Sequence, residues 1–199
     1  FLWWAATSAY QVEGGNANAD WWEWEKRMSL REKSGNACMH YERFLEDFAL
    51  ARELNHKAHR LSVEWSRIQP SANQFSLKEI EHYKSVLRSL KDNGIAPVVT
   101  LHHFTNPVWF AEAGGWLARS SVKHFLHYVS VIVEALSNEV TYWVTINEPL
   151  VYTYHSYILG DWPPQETSFY KARRVQNNLA RAHIRAYRLI HDIYLRKNL

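Results

Sequence analysis

The chain has 199 residues, 47% of them hydrophobic, which is enough to bury a sizeable core and demands no more than one domain. No apolar stretch reaches the 18 or so residues of a membrane span, the longest run lying around Val129 to Leu136, so no membrane association is expected. One cysteine, Cys38, allows no internal disulfide and no cysteine-built metal site, which makes a cytoplasmic home the default.

The net charge of +3 is uneven: residues 161–199 carry eight Lys or Arg against three acids, leaving 15 basic and 17 acidic residues upstream. Arg181, Arg185 and Arg188 fall three or four apart, the spacing of a solvated helix stripe, so no nucleic-acid partner is expected. Aromatic residues make up 15% of the chain, including 10 Trp. Part of that is core. The rest can form flat apolar walls of the kind on which sugar rings stack.

In chain order, "FLWWAATSAY" opens as a strand, around residues 2–7. "HYERFLEDFALAREL" then sets Tyr41, Phe44, Leu45 and Phe48 at helical spacing. "KAHRLSVEWSRI" returns to period two, a strand over 58–65 with Leu61, Val63 and Trp65 on one face and Arg60, Ser62 and Glu64 on the other. A second helix places Ile80, Tyr83, Leu87 and Leu90 on one stripe and closes at Gly94. "IAPVVTLHHF" predicts a third strand over 96–103, followed by a helix carrying Val122, Phe125, Leu126, Val129, Val133 and Leu136. The strand "VTYWVTINEP", over 140–147, and a helix from about Ala172 to Tyr194 complete the pattern.

Four strand-then-helix units argue for an α/β fold with a parallel sheet and right-handed crossovers. Polar residues gather where the strands end: Ser8 and Gln11, Ser66 and Arg67, His102 and His103, Asn147 and Glu148. No glycine-rich phosphate loop follows any strand, so the dinucleotide-binding sheet lacks its motif, whereas barrels use this C-terminal face for chemistry.

"FLWWAATSAYQVEGG", "HRLSVEWSRIQP", "VVTLHHFTNPVWF", "GGWL" and "VTYWVTINEPLVY" resemble, in order and spacing, the N-terminal half of glycoside hydrolase family 1, which contains β-glucosidases, β-galactosidases and 6-phospho-β-glycosidases. The resemblance implies a (β/α)8 TIM barrel of which residues 1–199 supply about the first four units, as the N-terminal half of a single catalytic domain. It implies a retaining β-glycosidase acting on β-linked glycosides or oligosaccharides, with neither metal nor other cofactor. In that reaction one carboxyl group protonates the leaving oxygen while a second attacks the anomeric carbon.

Residue by residue, the resemblance makes Glu148 the general acid/base and Asn147 the partner of the sugar 2-hydroxyl. Strict alternation would send these neighbours to opposite faces, so the strand must stop or bulge there, and Pro149 is suited to end it. Gln11 matches a glutamine bridging two sugar hydroxyls. His103 matches the histidine of the 3-hydroxyl, and alternation sets it on the face of Val99 and Leu101. Arg60 matches the arginine that orients the nucleophile. Glu64 has no catalytic counterpart and is free to pair with Arg60 or another cation. Trp21, Trp22 and Trp24 either wall the entrance or pack the loop.

Departures from the family pattern are Trp4, Asn55, Asn73, Ser137 and Gln165 where glycines are usual, Phe104 for Trp and Thr105 for Asp. Trp4 invites local strain; the Phe104 and Thr105 changes bear on aglycone preference. The nucleophile motif "ENG" is absent from the sequence. The chain is therefore expected to be a fragment, inactive alone and prone to self-association through open strand edges, and, since it opens on Phe1 rather than Met, its natural N-terminus is expected to be missing. Two other readings stay open: a 6-phospho-β-glycosidase, and a non-catalytic half-barrel that binds sugar or a partner.

Overall fold

The computed structural model describes residues 3–28 and 33–199. Leu2, the expected start of the first strand, lies outside the described residues. Strand β1 (Trp4–Ala6) is followed by helices α1 (Ala9–Val12), α2 (Asp20–Arg27) and α3 (His40–Glu53). Strand β2 (Ala58–Ser62) leads to α4 (Trp65–Ile68) and α5 (Leu77–Asp92). Strand β3 (Ala96–Thr100) leads to α6 (Val108–Glu112), a 3-10 turn at Gly115–Leu117 and α7 (Ser121–Leu136). Strand β4 (Tyr142–Val144) leads to α8 (Pro149–Tyr154), a π-helical turn at His155–Leu159 and α9 (Phe169–Lys197).

The sheet is parallel throughout, in the order β1-β2-β3-β4, as the four repeated units require. Its register aligns Ala6, Arg60, Val98 and Tyr142 in one row across all four strands. The two faces differ sharply. Leu61, Val99 and Leu101 are buried against the helices, whereas Trp4 and Tyr142, on the opposite face, are 50% and 52% exposed. This open face is the concave side of a half-barrel.

The core lies between sheet and helices. Leu87 and Leu90 of α5, Phe125, Val129 and Val133 of α7, and Val175 and Leu179 of α9 are all buried. Ala182 and Ala186 on α9 have no accessible surface, and such small side chains let two helices approach closely. Burial of a Leu or Phe side chain contributes about 1.5–3 kcal/mol. At the centre, Trp65 stacks on Tyr128 with centroids 5.1 Å apart. The Tyr128 hydroxyl donates to the carbonyls of Val63 and Leu101, which lie beyond the ends of β2 and β3. Ser76 and Ser168 accept from the backbone N–H groups of Glu79 and Lys171 and so cap α5 and α9.

Every strand stops short of its expected end. At β2 the cause is visible: Glu64 accepts from Ser66 N and caps α4, so Val63 keeps its bond to the Thr100 carbonyl and its burial, but Trp65 joins a helix. The last helix runs from Phe169 to Lys197, longer than predicted. Leu45 is exposed, and the buried positions of α3 are His40, Phe48 and Ala51. Among the positions where glycine is usual in the family, Asn55 (φ 58°) and Gln165 (φ 62°) adopt the left-handed backbone, while Asn73 and Ser137 do not. Trp4 stands at the open face in a regular strand, so the expected strain is not found there.

Gly14 is a true requirement: at φ +81° its added Cβ would lie 2.1 Å from the Asn36 carbonyl oxygen. Gly14→Ala is expected to cost about 2 kcal/mol or more, because a left-handed backbone and a collision with main chain add. Asn55→Gly should change stability by less than about 1 kcal/mol. Urea unfolding of both variants checks this, and equal midpoints for the two would contradict it.

Candidate active site

The rim at the C-terminal ends of the strands collects the polar residues. Asn147 lies three residues beyond β4, where its N–H donates to the His102 carbonyl at 2.9 Å. Glu148 then takes a left-handed backbone (φ 42°, ψ 60°), uncommon for a residue with a Cβ that is neither Asn nor Asp. Tyr152 N donates back to the Glu148 carbonyl, and Pro149 occupies the first turn of α8, where its missing N–H costs nothing. Pro149 therefore opens a helix; it does not end the strand, which already stopped at Val144. The turn leaves Asn147 buried and Glu148 exposed.

His103 Nε2 lies 3.5 Å from Asn147 Nδ2, at the outer limit of a hydrogen bond. Burial, with the nearby positive charge of Arg60, pulls the His103 imidazole down to about 4, so it is neutral at physiological pH. A neutral imidazole both donates and accepts, which suits hydroxyl recognition. Arg60 projects from the row shared with Ala6, Val98 and Tyr142, and its Nε is buried without a partner among the described residues. His103, Asn147 and Arg60 thus come together, and Glu148 follows directly in the chain. Gln11, on α1, is exposed at the same rim with its Oε1 accepting from Ser8 Oγ at 2.7 Å, and its side chain forms no hydrogen bond to the others.

Alternation did not place His103. Val99 and Leu101 face the helices, and the chain has already left β3 at Thr100. His102 is the histidine that turns inward: it is 1% exposed, its ring meets Trp116 edge-on, and its Nε2 lies 3.0 Å from Asn106 Oδ1. Among the described residues, Glu64 forms no ion pair with an arginine. It accepts from Ser66 and from Thr105 Oγ1 at 2.9 Å, and burial raises its carboxyl above the usual range. Among the described residues, no three His, Cys, Asp or Glu side chains come together in a way that could hold a metal ion.

The glycosyl hydrolase family 1 profile matches residues 1–199. The chain belongs to this family. It is 33% identical over 201 residues to beta-glucosidase A of Thermotoga maritima, covering 96% of this chain and 45% of that protein. It is 35% identical over 202 residues to the 6-phospho-beta-galactosidase of Lacticaseibacillus casei, covering 98% and 42%. The fold superposes on a beta-glycosidase from Pyrococcus horikoshii with a TM-score of 0.92 at 41% identity, covering 96% and 45% of the two chains. The Thermotoga maritima beta-glucosidase in complex with deoxynojirimycin gives 0.93 at 32% identity, covering 97% and 46%. The chain therefore spans less than half the length of these relatives, and its four βα units match the first part of the family 1 barrel.

Two features of this family 1 rim were not foreseen from the sequence. One is an aromatic line. His103 meets Phe104 (4.8 Å), Phe104 meets Trp162 (5.0 Å), and Trp162 meets Trp21 (5.2 Å) while stacking on His155 at 4.4 Å. Trp21 also packs on Tyr10 and Trp24, as the loop-packing alternative expects. The other is a buried hub at Asn106. Its Nδ2 donates to Asp20 Oδ2 and to the Tyr152 hydroxyl, and its Oδ1 accepts from Trp116 Nε1. Asn106 N and Trp21 N both donate to Asp20 Oδ1 at 2.9 Å. The hub joins the loops after β1 and β3 to α8. The "DWW" and "TNP" segments contain these residues, but no local pattern pairs positions 86 apart.

Burial dominates at Asp20 and lifts its carboxyl to about 7, despite the hydrogen bonds from Asn106. A carboxyl raised on folding stabilises the native state fully below its unfolded pKa, and that contribution is lost as pH rises through the folded value. Relative to Asp20→Asn, the native chain should thus lose stability between about pH 4 and pH 7. Urea midpoints of the two proteins across that range measure it. Parallel curves would contradict it.

Proposed function

We propose that this chain forms the acid/base half of a retaining β-glycosidase, acting on β-glucosides or β-galactosides once the barrel is complete. The observation that carries the reading is the turn at Asn147–Glu148–Pro149. It presents an exposed carboxyl at the start of α8 beside Asn147, a neutral His103 and an Arg60 whose buried Nε has no partner among the described residues. Glu148 protonates the departing oxygen and later deprotonates the incoming water. Asn147, His103 and Gln11 bind the sugar hydroxyls, the Asn147 contact strengthening as the ring becomes oxocarbenium-like. Arg60 orients and keeps ionised a nucleophilic carboxylate supplied by the remainder of the barrel. The Phe104–Trp162–Trp21 line, whose rings meet at an angle, offers the leaving group apolar contact.

Relatives of similar identity have both β-glucosidase and 6-phospho-beta-galactosidase in their names. That makes a 6-phosphorylated glycoside the second reading. Comparing hydrolysis of a nitrophenyl β-glucoside with that of its 6-phosphate by the completed barrel separates the two.

Within a completed barrel, Glu148→Ala should cripple cleavage of alkyl glucosides, whose departing alkoxide needs a proton. It should spare glycosyl-enzyme formation from dinitrophenyl glucosides, whose phenolate leaves unaided. Added azide should restore turnover on those activated substrates and yield a β-glycosyl azide. Equal loss on every leaving group, without azide rescue, would make Glu148 structural. The 199-residue chain alone should show no turnover, because half of the carboxylate pair is missing.

A further inference from the structure

Away from the rim, the outer surface of α9 carries a concentration of unpaired positive charge. Between Lys171 and Asp192 the sequence contains no acidic residue, and Arg173, Arg174, Arg181, Arg185 and Arg188 are all exposed. Arg119, just before α7, forms the opposite wall. Two adjoining hollows of about 570 and 440 Å³ share Arg119, Asn178 and Arg181 and merge into one groove. From Tyr170 to Arg188 it follows 18 helical steps, or about 27 Å. Among the described residues, no carboxylate lines it.

None of these six arginines forms an ion pair among the described residues, although Arg43, Arg67, Arg88 and Arg196 each meet a carboxylate. Clustered like charges repel, and in a groove walled on two sides their field adds. An anionic partner would relieve that repulsion. Guanidinium groups are matched in shape to carboxylates, which they grip with two parallel bonds.

The uncharged lining narrows the partner further. Asn178 Nδ2 gives one of its two hydrogens to the Trp116 carbonyl at 2.8 Å, which fixes the amide and leaves its side-chain oxygen as an acceptor beside one remaining N–H. An acceptor at the groove floor suits hydroxyl groups, and a phosphodiester offers it no donor. Tyr170, 75% exposed, supplies one flat ring at the end of the groove. Single-stranded nucleic acid is gripped by ring after ring, whereas one ring is sufficient for the C–H face of a sugar. The groove is built from α7, α9 and the turn before α7. Tyr187, Ile190 and Tyr194 face the open edge at β4 from another side of α9. Completing the barrel across that edge would leave the groove free.

We propose that this groove binds an acidic polysaccharide, a chain that presents uronic-acid carboxylates to the arginines and hydroxyls to Asn178. The proposal does not depend on the role of Glu148, since the groove shares no residue with the rim.

Affinity electrophoresis of the 199-residue chain through gels containing polygalacturonate tests it. Migration should be retarded relative to gels containing a neutral glucan or methyl-esterified polygalacturonate, and salt should weaken the effect. The triple variant Arg173→Gln, Arg174→Gln, Arg181→Gln should weaken binding about tenfold or more, since three charge-assisted contacts are lost. A control with Arg43→Gln, Arg52→Gln and Lys84→Gln loses the same charge on other surfaces and should stay within about twofold. Absence of retardation at low salt, undiminished binding to the methyl ester, or equal loss in both triple variants would overturn the proposal. Tighter binding to single-stranded oligothymidylate than to polygalacturonate would overturn it in favour of a nucleic-acid partner.

Discussion

The parallel ladder is the constraint from which the rest follows. Parallel strands must each return by a crossover, so all four strand ends reach the same rim, and every crossover helix packs on one face of the sheet. That geometry buries Leu61, Val99 and Leu101, leaves Trp4 and Tyr142 open, and aligns Arg60 with Val98 and Tyr142. Arg60 is held by backbone pairing, with little freedom to drift. By contrast, His103, Asn147 and Glu148 lie beyond their strands, so other interactions must hold them.

Those interactions are buried polar contacts. The Asn106 hub ties the segment after β1 to the loop after β3 and to α8, whose first residue follows Glu148. A second buried centre lies under the same rim. Glu13 accepts from Arg67 Nε at 2.9 Å and from the Tyr83 hydroxyl at 2.7 Å, and burial lifts its carboxyl to about 7. Such pairs add little net stability relative to apolar packing, but breaking one costs about 3–5 kcal/mol. They specify where loops go. The sheet supplies a rigid floor, and the polar contacts set the geometry of the side chains above it.

The sequence made the periodic parts legible. Alternation and helical stripes located four strands and the long helices α3, α5, α7 and α9, because burial on one face imposes those periods. The motifs named the rim residues. Periodicity failed where the chain left the ladder: it put Trp65 in a strand and assigned His103 to the face of Val99. In both cases a side chain capping a turn or reaching across the rim overrode the alternation. Glu148 shows why. Its left-handed backbone is set by the tertiary junction between β4 and α8, and no residue-type preference for Glu would predict it. The Asp20–Asn106 pair was illegible for the simplest reason, its separation in sequence.

In the proposed reaction the open face is half of a two-carboxylate site, with Glu148 on one side and the second carboxylate facing Arg60. A crystal structure of the completed barrel, inactivated with a 2-deoxy-2-fluoro-β-glucoside, tests it most directly. The sugar should be bonded covalently to a carboxylate outside residues 1–199 that contacts Arg60, with the Glu148 carboxyl about 5–5.5 Å from it. A sugar attached to Glu148 itself, or a carboxyl separation of about 6.5–9.5 Å, would contradict it.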